Sequence, residues 1–467
     1  MAIAPAFRGN GVRPAAGTAV LAGLGALTVA SYVYGERAHI PDIFAVRTLA
    51  LAQTLLFGGA AWMVLTGRVA RGGLTVILLV ALLCRIPLVL SPPKFSADIY
   101  RYIWDGRVQG AGVNPYRYVP ADPALAGLRD AAIYPHVSRR DYAHTIYPPA
   151  AQAIFLAVTR VSQTVTAMKA AVVAFEGGTV WLLCLTLGLA GLPRERVLLY
   201  AWHPLVLWQY AGDGHIDAAA ITFILVAVLA HLRRRESLTG IALGCATLVK
   251  LYPALLVLAF YRRGTWKMPA ALAATVAAGY LPYLGVGTGV IGFLPGYAAE
   301  EGIVTGDRFL GLTLARLAGV AAPVAAYAGA ALLMLFLLAY RVWRTERRTA
   351  LGDLGYGATV AAAFLVLLST HYLWYFGWLV ALACFTPRIA LLYMTGAALW
   401  LFSALWYRPW FGINDEMLAF DIALYGPTAG LALAERFGAE IRGRLRRGAL
   451  RAAHRRRPGS PVLRRET

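Results

Sequence analysis

Charge is scarce in this sequence: Asp, Glu, Lys and Arg together make up 14% of 467 residues, where an ordinary soluble domain carries roughly 25%. That deficit excludes an ordinary soluble protein. Cysteine is scarce too. Cys84, Cys184, Cys245 and Cys384 each sit in an apolar run, and no pairwise spacing suggests a disulfide framework or a metal site. No G-x-x-x-x-G-K-[ST] phosphate loop occurs. The longest stretch that is not membrane-like, 92–146, is about 55 residues, short of the order of 100 that a nucleotide-binding domain needs. No period of 20–50 residues marks a repeat.

What is abundant is apolar sequence, at 59%. Runs at 15–35, 45–66, 73–91, 170–190, 216–232, 266–285, 321–341, 354–385 and 388–407 match the roughly 17–25 residues that cross a hydrocarbon core of about 30 Å as helix. The chain therefore reads as an all-α, polytopic transmembrane bundle of about 11–13 spans or half-spans, with residues 1–437 in the membrane domain and 438–467 a basic tail. The first run reads as an uncleaved anchor. A formal charge of +21 would suggest nucleic acid in a soluble chain. Here the cations lie in short connectors, such as Arg233 to Arg235 or Arg262 and Arg263, where they read as topology determinants. The arginines of the tail suit a cytoplasmic end resting on anionic lipid.

With the amino terminus inside, 92–146 falls outside. Its start, from Lys94 through Asp98 to Gly106, alternates aromatic and charged residues and predicts an interfacial helix over 98–111, its Asp and Arg facing water. Asn114-Pro115 stops it, and a second short helix is predicted over 122–131. Segment 148–163 is too short to cross and is expected to dip. Segment 238–261 has arginines at both ends, so the charge bias asks both ends to be inside. A hairpin of half-helices turning near Lys250 satisfies it, and broken helices at membrane depth require a protein-lined or water-filled cavity. A polar cavity opening outward, floored by Lys250, is expected.

Several residues there suit chemistry. Asp98, where the third span emerges, is placed to act as a general base, or equally to cap a helix. Asp105 lies about two turns further along the same face; it reads as a second acid or as the partner of Arg101 at i−4. His215 and Asp217 flank one position in a glycine-rich turn between apolar helices, suited to a sugar hydroxyl or to a structural turn. Lys250 within an apolar run must pair with a carboxylate or meet an anion. His371 interrupts another run among Tyr372, Trp374, Tyr375 and Trp378. If a phosphate is the anion, Lys250 and His371 are expected to converge on it, with Arg308 as the next candidate; the alternatives are a Lys250–Asp217 pair and a neutral, packed His371. No metal ligand set is evident by spacing.

Taken together, Asp98-Ile-Tyr100-Arg-Tyr102 with Gly106, then Gly112-Val-Asn114-Pro115-Tyr116, then Tyr147-Pro148-Pro149, resemble the first outer loop of polyprenol-phosphate-mannose-dependent mannosyltransferases of the GT-C superfamily, including bacterial α-mannosyltransferases and glycosyltransferase family 87. The resemblance continues through His203-Pro204 with Gly214-His215-Ile216-Asp217, through Val249-Lys250-Leu251-Tyr252-Pro253, and through His371 to Trp378, covering roughly residues 70–385. It departs where Ser96 stands two before Asp98 in place of a second acid, which argues against a metal-bridged donor. His203 and Ile216 also replace the usual Asn, so the sugar need not be mannose.

The resemblance implies a GT-C bundle and an inverting transfer of a hexose from a polyprenyl-phosphate donor to a hydroxyl of a lipid-linked or cell-envelope glycan, on the extracytoplasmic side of the cell membrane. It implies Asp98 as base, Lys250, His371 and Arg308 near the donor phosphate, and Tyr100, Tyr102, Asp105, Asn114, Tyr116, His215, Asp217, Tyr252 and Trp374 as substrate-binding residues. No cofactor and no nucleic acid is expected. A flippase of lipid-linked sugars would also need a midplane cavity, although no inverted repeat is visible. A structural subunit of a cell-envelope complex would need none.

Overall fold

The computed structural model describes residues 14–37, 43–70, 72–345, 349–405 and 416–455, and among them there are helices and no strand. Seven helices are long and apolar enough to cross a bilayer: Ala16–Arg37, Ala45–Leu65, Gly73–Leu90, Val165–Leu189, Lys267–Glu300, Val324–Trp343 and Ala350–Leu367. Helix is what hydrocarbon demands, since each backbone N–H and C=O must find its partner within the segment. Shorter apolar helices, Pro149–Val161, Leu373–Ala383 and Ile389–Ser403, fill in between. The pair Pro204–Gly212 and Asp217–Leu232 is bent by 118°, and the first member ends in a π-helical turn over Leu207–Gly212.

Connections between distant segments show which loops share an end of the bundle. At one end, Lys94 N donates to Asp213 Oδ1 (2.8 Å), Lys169 Nζ to Ser91 O (2.6 Å) and Leu310 N to Ser369 Oγ (2.7 Å). Ala150 N reaches Leu248 O at 2.9 Å and Phe293 N reaches Thr145 O at 3.4 Å. At the other end, His231 Nε2 lies 2.9 Å from Asp353, Arg196 donates to Phe385 O (3.3 Å) and Ile389 N to Glu435 (2.5 Å). The segment Glu236–Phe260 begins and ends at that second end and turns at Lys250, as the flanking arginines predict: Glu236 bonds Thr265, and His231 stacks on Phe260 at 4.7 Å.

The helix Asp98–Gly110 forms where expected, but it does not lie on the surface with its charges in water. Arg101 and Asp105 are buried, because the helix Pro149–Val161 and the irregular 143–148 segment cover them and supply polar partners. The close approach needs Gly106, where a Cβ would stand 2.4 Å from Phe155 O and 2.6 Å from Thr159 Oγ1. Gly106→Ala is therefore expected to force the two helices apart and cost about 1–3 kcal/mol. A melting curve in detergent checks it, and an unchanged midpoint would mean the helices part freely. In place of a helix over 122–131 there is a 3-10 turn, Pro123–Leu128, with Asp122 accepting from Ala124 N. At the far end one helix, Glu416–Arg455, runs unbroken through residue 437. Of the basic tail, Arg456, Arg457, Arg464 and Arg465 lie outside the described residues.

Candidate active site

Asp98 opens its helix directly below the loop end, its N–H donating to Ser96 Oγ at 3.2 Å. The side chain is 28% exposed and faces a cavity of ≈ 690 Å³ bounded by Arg101, Arg139, His144, Tyr147, Lys250 and Trp374, with Tyr297, Tyr372 and Tyr375 completing an aromatic wall. Burial raises the Asp98 carboxyl above the ordinary carboxylate range, against the opposing pull of Lys250, the Tyr147 hydroxyl, Arg139 and Arg101. A carboxylate so placed is a stronger base than one in water, and is still reachable by a hydroxyl.

Lys250 comes from the turn of the half-helix hairpin. Its Nζ lies 3.2 Å from Asp217 Oδ2 and 5.4 Å from the ring centroids of both Tyr147 and Tyr375. Of the two partners the sequence allows, the carboxylate is the one in contact. Asp217 is fully buried at the start of its helix and also accepts from Tyr252 Oη at 3.2 Å. His215, equally buried, stacks on Trp374 at 4.1 Å and brings Nδ1 to 3.8 Å from Asp98 Oδ2. The turn before it is left-handed at Gly214 (φ 76°), where a Cβ would strike Ile99 at 2.5 Å. Glycine at that position lets His215 pass beneath the Asp98 helix.

The remaining residues divide into two groups. Tyr100 (4.7 Å from the His136 ring) and Tyr102 (stacked on Phe155 at 4.6 Å) pack away from the cavity. Asp105 holds Arg101 at 2.8 Å and is bonded by Thr145 and Gln152. Asn114 accepts from Tyr116 N and donates to Tyr283 O (3.0 Å), while Tyr116 Oη donates to Tyr147 O at 2.6 Å. These five side chains build the loop that carries the cavity, and their contacts are with protein.

Arg308 and His371 line a second cavity of ≈ 920 Å³ with Glu300, Glu301, Asp307 and Asp421. Arg308 is 2.5 Å from Glu301 and donates to Leu368 O at 3.0 Å. Burial, with the Arg308 guanidinium beside it, lowers the His371 imidazole to about 3, so it is neutral at physiological pH. His371 and Arg308 thus line a cavity other than the one that holds Lys250, and carboxylates there are paired: Glu301 with Arg308, Glu300 with Arg139 and Asp307 with Arg316. Tyr372 separates the two cavities, its ring in the first wall and its Oη donating to Glu301 at 2.7 Å.

Arg139 and His144 reach the first cavity although no sequence pattern singles them out. Arg139 adopts φ 54° and pairs with Glu300 at 2.6 Å. His144 Nδ1 is buried with no hydrogen-bond partner among the described residues. Nor do three His, Cys, Asp or Glu side chains converge as metal ligands among the described residues.

The site therefore combines a reachable carboxylate of raised basicity, cations opposite it and an aromatic wall, at one end of a membrane bundle. No curated protein and no solved structure matches the chain. A family model does: that of the MptA_B family, described as alpha-(1->6)-mannopyranosyltransferase, N-terminal domain, matches residues 12–264. Those residues hold Asp98, His215, Asp217 and Lys250 and make up more than half of the sequence, and the chain belongs to this family of membrane mannosyltransferases.

Proposed function

We propose that the chain transfers mannose from a polyprenyl-phosphate mannose to a hydroxyl of a lipid-linked or cell-envelope glycan, by inverting displacement at the Asp98 cavity. The observation that carries this reading is the position of Asp98, opposite Lys250 and Arg139 in one cavity, where a base and a cation cluster face each other across space for a sugar. Asp98 takes the proton of the acceptor hydroxyl, whose oxygen attacks the anomeric carbon as the bond to the phosphate oxygen breaks. The prenyl phosphate leaves as an anion and needs no general acid. Lys250 and Arg139 offset the charge that develops on it, and the free His144 nitrogen is available to a phosphate or sugar oxygen. The wall of Tyr372, Trp374 and Tyr375 suits the apolar face of a sugar ring or a prenyl chain. A donor that is itself a membrane component also accounts for spans without a nucleotide domain.

The cavity end is proposed to face outward. Arg68, Arg194, Arg196, Arg233 to Arg235, Arg262, Arg263 and Arg388 all lie in connectors at the opposite end, and a basic end is the cytoplasmic one. The membrane is then the cell membrane, where such donors and acceptors meet.

Purified protein should transfer labelled mannose from the prenyl-phosphate donor in the presence of chelator, and should give no product from GDP-mannose alone. Turnover with GDP-mannose alone would refute the donor assignment, and complete loss in chelator restored by Mg²⁺ or Mn²⁺ would refute metal independence. Lys250→Met should raise the donor KM by about tenfold or more, the scale of one lost charge contact, whereas His371→Phe should leave it within about twofold. Donor titrations of both variants beside their melting curves separate loss of a ligand contact from loss of packing. Unchanged donor KM values in both variants would return the phosphate to an unassigned position.

A further inference from the structure

At the end of the bundle opposite Asp98, a narrow cleft of ≈ 330 Å³ opens between the turn after the Asp217–Leu232 helix and the turn before Lys267–Tyr280. Arg234, Arg235, Arg262 and Glu236 line it with Phe260, Tyr261 and Met268. Two of the lining residues are held by Asp353, which is fully buried, 2.9 Å from His231 Nε2 and 3.6 Å from Arg262 Nη2. The acid at the rim, Glu236, is bonded by the Thr265 hydroxyl. Arg234 and Arg235 are exposed, and among the described residues neither has a carboxylate within ion-pair distance. Arg234 is held at φ 57°, a backbone state that a non-glycine residue enters at a cost. Two exposed arginines with no carboxylate at ion-pair distance among the described residues make a surface suited to an anion.

The surroundings indicate where the apolar part of that anion runs. Trp266 next to the cleft is 74% exposed, and Met268 is the one buried residue of the Lys267–Tyr280 helix. One side of that helix packs on Glu236–Thr247 through Ala271, Leu272 and Thr275, the other exposes Ala273, Ala274, Ala277 and Ala278, and the wide aromatic at its start is of the type that marks a bilayer interface.

We propose that this cleft binds the phosphate of an anionic glycerophospholipid, with Arg234 and Arg235 on the headgroup and the acyl chains along the exposed face of Lys267–Tyr280. The site is distinct from the Asp98 cavity, and the proposal holds whether or not the donor assignment does. Soluble anions lack the apolar part that would use the exposed Trp266 and the exposed alanine face of Lys267–Tyr280, while a basic pocket between helix ends at the cytoplasmic surface suits a lipid headgroup.

The test is native mass spectrometry of the full chain released from detergent micelles doped with equal phosphatidylglycerol and phosphatidylcholine. The wild type should retain phosphatidylglycerol preferentially, and Arg234→Gln/Arg235→Gln should reduce that preference by roughly tenfold or more, the scale for two arginines at an anionic surface. Both positions are exposed, so the variant should keep the wild-type melting midpoint in detergent. The charge-matched control Arg68→Gln/Arg194→Gln, at the same end but outside the cleft, should keep the preference. No preference in the wild type, an unchanged preference in the cleft variant, or an equal loss in the control would each overturn the proposal; the last would assign the effect to diffuse charge. Retention of the preference against millimolar inorganic phosphate is also expected, and its loss would assign the cleft to a soluble anion.

Discussion

Asp98→Asn is expected to lower mannosyl transfer by about 10²–10⁴-fold, the usual cost of removing a general base, with little change in the melting midpoint. The side chain is 28% exposed and the nearby His215 Nδ1 is 3.8 Å away, beyond hydrogen-bond distance, so little of the fold rests on it. The amide keeps the shape and removes the basicity. In the wild type, kcat/KM should fall as pH drops through the Asp98 pKa, because the base works only when deprotonated. Burial raises that pKa, so the fall should begin at a higher pH than an ordinary carboxylate would give. In the asparagine variant the residual rate should lose this acidic limb. Transfer within a few-fold of wild type would make another group the base.

The largest stability effect is expected at Arg85, deep between the third span and Val165–Leu189. Its Nη2 lies 2.7 Å from Glu176 Oε1, and Nη1 donates to Ala81 O and Ala201 O at 2.8 and 3.0 Å. Both side chains are almost wholly enclosed. Arg85→Leu leaves Glu176 buried with no counter-charge, and removing one partner of such a pair costs about 3–5 kcal/mol. Arg85→Leu/Glu176→Leu should recover much of the loss, since a well-packed apolar pair avoids the desolvation of both ions. Melting curves of the two singles and the double form the cycle. If the double is as unstable as the worse single, packing and backbone contacts of Arg85 matter more than its charge.

Much of the architecture is legible in the sequence because membranes impose few solutions. The half-helix hairpin at Lys250 follows from arginines on both flanks, and the Arg101–Asp105 pair follows from helical spacing. Spacing also puts Asp98 and Asp105 on one face, which both turn toward the 143–152 segment. What spacing does not carry is depth: the sequence reads the 98–110 helix as interfacial, whereas Pro149–Val161 covers it. The same limit hides Arg139 and His144, which depend on how an irregular loop folds back over the bundle. It also hides what Arg308 meets. Its partner Glu301 lies only seven residues before it, but the 281–309 region is built of short turns with no period to show which side chains meet. The sequence offers Lys250 a carboxylate or an anion as partner; the fold brings Asp217 to 3.2 Å from the ammonium and sets Lys250 in the wall of the Asp98 cavity.

The most direct test of the account is the anomeric configuration of the product made by the purified chain from a β-configured polyprenyl-phosphate mannose. An α-linked product, as the family description states, then requires inversion at the anomeric carbon, and the one-bond carbon–hydrogen coupling in a ¹³C-labelled product reads it directly. The account predicts an α-mannoside from wild type and none above background from Asp98→Asn in the same assay. A β-linked product, which would mean retention, or an α-linked product formed equally by both proteins, would contradict it.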